Sequence, residues 1–231
     1  MDVERVRLAF LRRALKNWAR TNLRRFPWRE TTDWYRVLVA ELMLRRTRPG
    51  QVLPVYEAFV ERYPTPIALA TAKEADLYPL LVPLGLRWRA RNIVATAREL
   101  VGVPESGFKS AEALKKLPGV GEYVARAVQI MAFNRREAVI DTNVIRVLGR
   151  YWGLRVHPEA RRERRFKELA LRCVPRSDPK TYTLALLDLG ANICTPQRPR
   201  CGECPLAPSC EFAQSTASGV VRRRKVGVRV A

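Results

Sequence analysis

The chain has 231 residues, 47% of them hydrophobic, which is enough for one domain or two small ones with a buried core. Its 43 Lys and Arg residues stand against 22 Asp and Glu residues, giving a formal net charge of +21. Such an excess repels itself in a compact fold, so it indicates a polyanionic partner: nucleic acid first, an anionic membrane surface second. No run of about 18 uncharged apolar residues is present, so the sequence predicts no membrane-spanning helix.

The amino-terminal segment, residues 1–18, mixes acidic and basic residues and has no secretory or transit peptide. We therefore expect an intracellular protein. In that compartment, five cysteines favour a metal site with one spare thiol over a disulfide framework.

The hydrophobic pattern is helical along the chain, and no convincing two-residue alternation occurs, so the sequence predicts an all-α fold. Residues 3–20 have the pattern of a basic amphipathic helix. A connector with proline and tryptophan (26–34) follows, in which Thr32 or Asp33 is expected to cap the next helix. Between residues 51 and 100, prolines separate several short helices.

Glu41 interrupts an otherwise apolar run, VLVAELML at residues 37–44. A lone carboxylate in such a run is expected to be partly buried, where it must find a partner or stay protonated. A bond to a nearby arginine or to a helix terminus would explain it without any function. Arg45 and Arg46 follow directly.

A second helical segment, residues 110–117, must end before Pro118. Gly119 and Gly121 permit backbone conformations that other residues avoid, and a new helix is predicted to begin near Glu122. Two helices joined by L-P-G-V-G form a tight hairpin. Its loop amides, at a helix N-terminus, can hold a phosphate without reading sequence.

Asp141 follows the short apolar segment 138–140 and is well placed to cap the next helix. Capping alone would account for this aspartate. A cap also holds a carboxylate in a fixed position, so a catalytic role is compatible with it. Farther along, an apolar helix over 181–191 contains Asp188.

Four cysteines lie within 17 residues at the spacing C-x6-C-x2-C-x5-C: Cys194, Cys201, Cys204 and Cys210. Thiolates this close can enclose a tetrahedral zinc ion or a cubane iron–sulfur cluster. A single C-x2-C pair with two outlying ligands suits the larger cubane better, and zinc remains the alternative. Cys173 lies outside this group and is expected to be a buried thiol.

The sequence resembles the endonuclease III superfamily of helix-hairpin-helix DNA glycosylases. The resemblance covers most of the chain and is carried by the cysteine spacing and by these segments: FPWR (26–29), AELMLRRT (40–47), GLRWRARN (85–92), LPGVGEYVARA (117–127), VIDTNVIRV (139–147) and LLDLGANIC (186–194).

The resemblance implies a [4Fe-4S] cluster on the four cysteines and two helical domains. Residues 28–133 would form a six-helix barrel ending in the helix-hairpin-helix, and residues 1–27 with 134–231 a cluster domain. DNA would bend across the cleft between them, with the target nucleotide flipped out. The expected partner is double-stranded DNA containing a mismatch.

The residue after L-P-G-V-G-x separates members of the superfamily. Bifunctional lyases have lysine there, a Schiff-base nucleophile, and adenine glycosylases of the MutY type typically have serine. This chain has Tyr123, which cannot form a Schiff base, so we expect no lyase step. Tyr123 and LRRT (44–47) are similar to archaeal-type glycosylases that remove thymine or uracil opposite guanine. A MutY-type adenine glycosylase and a non-enzymatic, DNA-binding or redox-sensing module are the alternatives, although MutY continues into a further domain where this chain ends.

The resemblance also implies roles for single residues. Asp141 would stabilise the cationic sugar and orient or deprotonate water, Tyr123 would face the flipped base, and Glu41 would line the base pocket. Arg45 and Leu86 match positions from which side chains enter the gap in the duplex. A phosphate and a monovalent cation are expected at the hairpin. The full set of expected DNA contacts is Arg45, Arg46, Leu86, Arg89, Gly119, Val120 and Gly121. A monomer acting at the nucleoid, in the cytoplasm of an archaeal cell, is the expected setting.

Overall fold

The structure, a computed structural model, describes residues 2–85, 90–101 and 110–217. Across these ranges the regular elements are helices and no strand occurs, which confirms the all-α prediction. No helix among the described residues is long and apolar enough to cross a bilayer.

The described residues contain the following α-helices: α1 (Val3–Asn22), α2 (Pro27–Glu30), α3 (Trp34–Met43), α4 (Pro49–Arg62), α5 (Pro66–Ala70), α6 (Glu74–Leu81), α7 (Ala90–Leu100), α8 (Ala111–Leu114), α9 (Glu122–Phe133), α10 (Thr142–Trp152), α11 (Arg164–Cys173), α12 (Pro179–Asn192) and α13 (Glu211–Ala217).

These helices belong to two compact units. One contains the described residues of Arg25–Arg135, and the other contains those of Met1–Arg24 and Arg136–Ala231. The domain limits expected from the sequence, residues 28–133 for the six-helix barrel and residues 1–27 with 134–231 for the cluster domain, remain a prediction.

In the unit Arg25–Arg135, α3 packs against α9. Helix α3 begins at Asp33, whose carboxylate accepts hydrogen bonds from the amides of Tyr35 and Arg36, so the predicted cap is confirmed there. Its interior positions are buried; Ala40, for example, has no exposed surface. This packing places the end of α3 against the helix that follows the hairpin.

Helix α8 is shorter than the segment predicted from the sequence, because it ends at Leu114 and not at residue 117. The chain continues through tighter turns, in which the Leu117 N–H donates to the Leu114 carbonyl at 3.1 Å. Pro118 disfavours the α conformation only at Leu117, the residue directly before it, so it sets the farthest point that the helix could reach.

In the other unit, α1 and α10 both pack against α12. Leu11, Leu15, Leu148 and Leu189 have no exposed surface and form the middle of this core. At Gly190 the approach of α12 to α10 is especially close, because an added Cβ would lie 2.7 Å from the Cβ of Asn143. A glycine is therefore required where α10 and α12 meet.

A buried ion pair joins the end of α1 to α12. Asp188 has no exposed surface, and its carboxylate accepts from Arg24 three times: from the backbone N at 2.9 Å, Nε at 2.8 Å and Nη2 at 2.5 Å. These three hydrogen bonds compensate for the burial of the Asp188 charge, which would otherwise be costly.

We expect Asp188→Ala to lower the free energy of unfolding by about 3 kcal/mol, because it leaves the partly buried Arg24 guanidinium without its carboxylate. Urea unfolding of the two proteins measures the difference. The matched control is Glu168→Ala, which removes an exposed i,i+4 pair with Arg164 and should change stability by about 0.5 kcal/mol or less. Equal losses in the two variants would contradict a structural role for the buried pair.

Candidate active site and cluster-binding loop

The hairpin loop, residues 117–121, is held through its carbonyl oxygens. The Pro118 carbonyl accepts from Thr96 Oγ1 at 2.5 Å, and the Gly119 carbonyl accepts from Arg45 Nη1 at 3.0 Å. Gly119 has a φ of +76°, and an added Cβ would lie 3.1 Å from the Cβ of Asn92. Conformation and space therefore both require glycine at this position.

Helix α9 begins directly after this loop without a capping side chain. Its N-cap residue is Gly121, which has no side chain to accept from the first amides of the helix. These amides carry the positive end of the helix dipole, so the N-terminus suits a phosphate. Of the loop residues expected to bind DNA, Val120 is buried and Gly121 is exposed.

Two of the expected site residues lie on helices of this same unit. Tyr123 is in the first turn of α9 and is half-buried. Glu41 is in the last turn of α3, half-buried between the buried residues Ala40 and Leu42. The partial burial expected for this carboxylate is therefore confirmed.

Asp141, in the other unit, is the N-cap of α10, as the sequence predicted. Its Oδ1 accepts from the Val144 N–H at 2.7 Å, and its Oδ2 accepts from Asn143 Nδ2 at 3.1 Å. Burial raises the pKa of this carboxyl above its usual range, while these hydrogen bonds and the charge of Arg146 act in the opposite direction. The carboxylate is thus fixed in place and poorly solvated.

A chain of hydrogen bonds leads from Asp141 to the first cysteine of the C-terminal group. Asn143 donates to Asp141 and its Oδ1 accepts from Arg146 Nη2 at 2.7 Å. Arg146 Nη2 also donates to the Gly190 carbonyl at 2.6 Å, and its Nε donates to the Cys194 carbonyl at 2.6 Å. Asn143 and Arg146 were not among the site residues predicted from the sequence. The available signal was two polar residues, two and five positions after the capping aspartate, on a largely apolar helix.

Arg150, one turn beyond Arg146, holds the same segment. Its Nη1 donates to the Thr195 carbonyl at 2.7 Å and contacts Cys194 Sγ at 3.3 Å. Its Nη2 donates to the Pro196 carbonyl at 2.7 Å, and its guanidinium lies 4.6 Å from the centre of the Phe212 ring. Helix α10 therefore positions the start of the cysteine loop through two arginines.

The cluster loop, residues 194–210, brings its four cysteines to the lining of one cavity. Burial raises the pKa of the Cys204 thiol to about 11 and also raises the pKa values of Cys201 and Cys210. A bound cation would favour the thiolate forms of these three residues, as ligation of a metal cluster requires. Among the described residues, no three His, Cys, Asp or Glu side chains are grouped to hold a single metal ion.

Family comparison decides between the candidate metals. Residues 39–171 match the family described as HhH-GPD superfamily base excision DNA repair protein, and residues 194–210 match the iron–sulfur binding domain of endonuclease III. The chain belongs to the HhH-GPD superfamily of base excision DNA repair proteins. The match over residues 194–210 confirms the [4Fe-4S] cluster predicted from the sequence, and the assignment of the four cysteines as its ligands remains a prediction.

Individual proteins show the same relationship. The chain is 38% identical over 217 residues to a thymine-DNA glycosylase of Aeropyrum pernix, covering 91% of this chain and 97% of that one. It is 38% identical over 197 residues to an adenine DNA glycosylase of Mycobacterium tuberculosis, covering 82% of this chain but 63% of that one. Its structure superposes on that of a thermostable thymine-DNA glycosylase with a TM-score of 0.84 and 29% identity, covering 93% of this chain and all of the other. This superfamily member is a DNA glycosylase.

Four of the expected DNA contacts remain to be located: Arg45, Arg46, Leu86 and Arg89. Arg45 and Arg46 are exposed in the turn between α3 and α4, where Arg45 contacts the hairpin loop. Leu86 and Arg89 lie outside the described residues, so their roles remain predictions.

We expect Cys204→Ala to reduce the iron and sulfide content per chain and the visible absorption of the protein, because it removes one of the four cluster ligands. Cys173→Ala is the matched control: Cys173 is fully buried but lies outside the cluster loop, so its loss should leave the iron content unchanged. Elemental analysis of anaerobically purified protein measures both. A full iron content in Cys204→Ala would contradict the ligand assignment.

Proposed function

We propose that this glycosylase removes thymine or uracil mispaired with guanine, and that it hydrolyses the N-glycosidic bond without cutting the DNA strand. Tyr123 carries the proposal, because it occupies the position that separates the activities of the superfamily. The 38% identity to a thymine-DNA glycosylase over almost its whole length supports the choice of base. A G·T or G·U mispair also costs less to open than a matched pair, which contributes to selectivity.

Asp141 supplies the charge that the reaction requires. Loss of the base leaves a sugar with cationic character, and a carboxylate already fixed by its cap stabilises that charge without reorganising. Because burial raises the pKa of Asp141, its anion gains more from a developing positive charge than a solvated carboxylate would. The same carboxylate orients or deprotonates the attacking water.

Asn143 and Arg146 act as positioning residues for this carboxylate. Asn143 fixes one oxygen of Asp141, and Arg146 fixes Asn143 against the carbonyl oxygens of Gly190 and Cys194. The bound cluster would contribute rigidity, by joining four parts of the cluster loop that α10 grips. No electron transfer is needed for hydrolysis.

Tyr123 determines how the reaction ends. A lysine at this position attacks the sugar as an amine, and the resulting Schiff base leads to strand cleavage. A phenol cannot form that bond, so water remains the nucleophile and the abasic strand stays intact. The aromatic ring is suited to stacking on the flipped base, and Glu41 to contacting the edge of a pyrimidine.

Phosphate binding is assigned to the hairpin loop, where Gly119, Val120 and Gly121 precede an uncapped helix N-terminus. A monovalent cation is expected beside it. The net charge of +21 supports a duplex partner whose affinity falls with salt. Under this proposal the protein acts as a monomer on mismatched DNA, at the nucleoid of an archaeal cell.

Adenine removal is the second candidate, since the chain shares 38% identity with an adenine DNA glycosylase. Adenine removal is disfavoured because Tyr123 occupies the position where MutY typically has serine. A purely DNA-binding or redox-sensing role is disfavoured by membership of a base excision repair superfamily.

A panel of four duplexes tests the proposal, carrying G·T, G·U, A·T or 8-oxoguanine·A pairs. We expect base release from the T strand of G·T and the U strand of G·U, revealed as strand breaks only after alkali. Tyr123→Lys provides the positive control for cleavage without alkali, and Tyr123→Phe tests the ring alone. Release of adenine opposite 8-oxoguanine, with none from G·T or G·U, would establish the second candidate instead.

We expect Asp141→Asn to slow base release by about a hundredfold or more, because the neutral amide cannot stabilise a cationic sugar. Asparagine caps as well as aspartate, so α10 should persist. A raised pKa in the folded state means that the charged carboxyl destabilises the protein at neutral pH. The variant should therefore have an equal or higher Tm at pH 7, and this difference should vanish below the ordinary aspartate pKa, where the side chain is neutral in both states.

Asp178→Asn is the matched control, since Asp178 caps α12 by accepting from the Thr181 N–H at 3.1 Å. It should retain normal base release. If Asp141→Asn released base as fast as the parent protein, Asp141 would not be catalytic.

A further inference from the structure

Helix α1, in the unit that contains the cluster loop, uses only some of its basic residues within the fold. After Glu4 its sequence contains six basic residues and no acidic one. Arg7 donates to the Ser209 carbonyl at 3.0 Å, and Arg12 donates to the Cys173 carbonyl at 3.1 Å. These two arginines hold the unit together and are not available to a partner.

Three further basic residues form one exposed face of this helix. Arg13, Lys16 and Arg20 are exposed, and none of them forms an ion pair within the described part of the chain. Arg5, nearer the start of the helix, does have an acidic partner, Asp2. Positions i, i+3 and i+7 lie on the same side of a helix, so the three cations follow one another over about 10 Å of its length. We call this surface the outer face of α1.

A comparison within the same unit shows that such a face is not the rule there. Other exposed arginines are neutralised by neighbours: Arg162 pairs with Glu159 at 2.9 Å, and Arg164 pairs with Glu168 at 2.9 Å. On the outer face of α1 the cations repel one another, since like charges one helical turn apart destabilise a helix. The helix dipole offsets this repulsion only for Arg20, in the last turn. A face of this kind favours a polyanionic partner.

The carboxyl end of α1 lies at the level of the candidate catalytic carboxylate. Asp188, on α12, accepts from the Arg24 N–H at 2.9 Å. Two residues later, Gly190 packs closely against Asn143, which donates to Asp141. The cations of the outer face therefore form a row that ends at the same level of α12 as Asp141.

We propose that the outer face of α1 is a second DNA-binding surface, which holds phosphates of the duplex beside the nucleotide being excised. Each DNA strand carries one phosphate per about 3.4 Å of the duplex axis, so about three phosphates occupy the length of the row. Arginine and lysine side chains bind such phosphates without reading sequence. The inference goes beyond the proposed function, because it does not depend on which base is removed.

The outer-face variant combines Arg13→Gln, Lys16→Gln and Arg20→Gln. Glutamine removes the three charges and favours a helix about as well as lysine or arginine, so α1 should be retained. The Tm of this variant should equal or exceed that of the parent protein, because repulsion within α1 is relieved.

The control variant combines Arg161→Gln, Arg162→Gln and Arg164→Gln. These arginines are also exposed, but each of them pairs with Glu159 or Glu168. Both variants lose the same charge. A difference between them therefore reports where the charges lie and not how many there are.

The dissociation constant for a fully matched DNA duplex is measured by fluorescence anisotropy over a series of salt concentrations. Each phosphate contact contributes about 0.9 to the slope of log K against log[salt]. We expect the slope to fall by about 2 to 3 in the outer-face variant and by less than about 1 in the control variant. Equal slopes in all three proteins, or an equal fall in both variants, would show that α1 does not contact DNA.

Two further readouts separate this inference from its alternatives. A fully matched duplex has no target base, so a failed slope test leaves the proposed function standing. A parent protein that releases no uracil opposite guanine overturns the proposed function, and the slope test still decides this inference. If the outer-face variant loses binding to phosphatidylglycerol vesicles but keeps the parent's slope with DNA, the face serves an anionic membrane and the inference is wrong.

Discussion

The hydrogen bond from the Val144 N–H to Asp141 fixes the start of α10, and the organisation of the cluster-binding unit depends on how that helix is held. Gly190 lets α12 approach α10 closely. From that position, Arg146 and Arg150 on consecutive turns reach the carbonyl oxygens at the start of the cluster loop. One helix therefore presents the candidate catalytic carboxylate at its N-terminus and grips the cluster loop along its side.

Asp188 and Asp141, two poorly solvated aspartates of this unit, show how the candidate catalytic carboxylate differs from a structural one. Asp188 is neutralised directly by the Arg24 guanidinium, so its charge is used up in holding α1 to α12. Asp141 accepts from a backbone amide and an asparagine, both neutral, while Arg146 donates to Asn143 and acts on Asp141 through its charge, without a hydrogen bond to it. Its negative charge is fixed but not cancelled. A cationic sugar would supply Asp141 with the directly contacting positive charge that Arg24 supplies to Asp188.

Features with a local cause could be predicted from the sequence. Asp33 and Asp141 cap the helices expected of them, because capping depends on a side chain and the next three amides. The cysteine spacing likewise indicated a cluster, because the four cysteines lie within 17 residues of the sequence. The pair of Arg24 and Asp188, 164 positions apart, leaves no periodic signal. The roles of Arg146 and Arg150 were equally hidden, since they bind carbonyl oxygens, which every residue carries. The predicted length of α8 was wrong, because the residues after Leu114 form tighter turns in place of a further α-helical turn.

The net charge of +21 indicated a surface that binds a polyanion, but several of the arginines that contribute to it donate hydrogen bonds within the fold. Arg12 and Arg136 donate to carbonyl oxygens at the end of α11, and Arg146 and Arg150 donate to the cluster loop. A guanidinium has five donors in a rigid fork, so it can join several carbonyl oxygens where a lysine would hold fewer. The number of arginines therefore overstates the surface available to DNA.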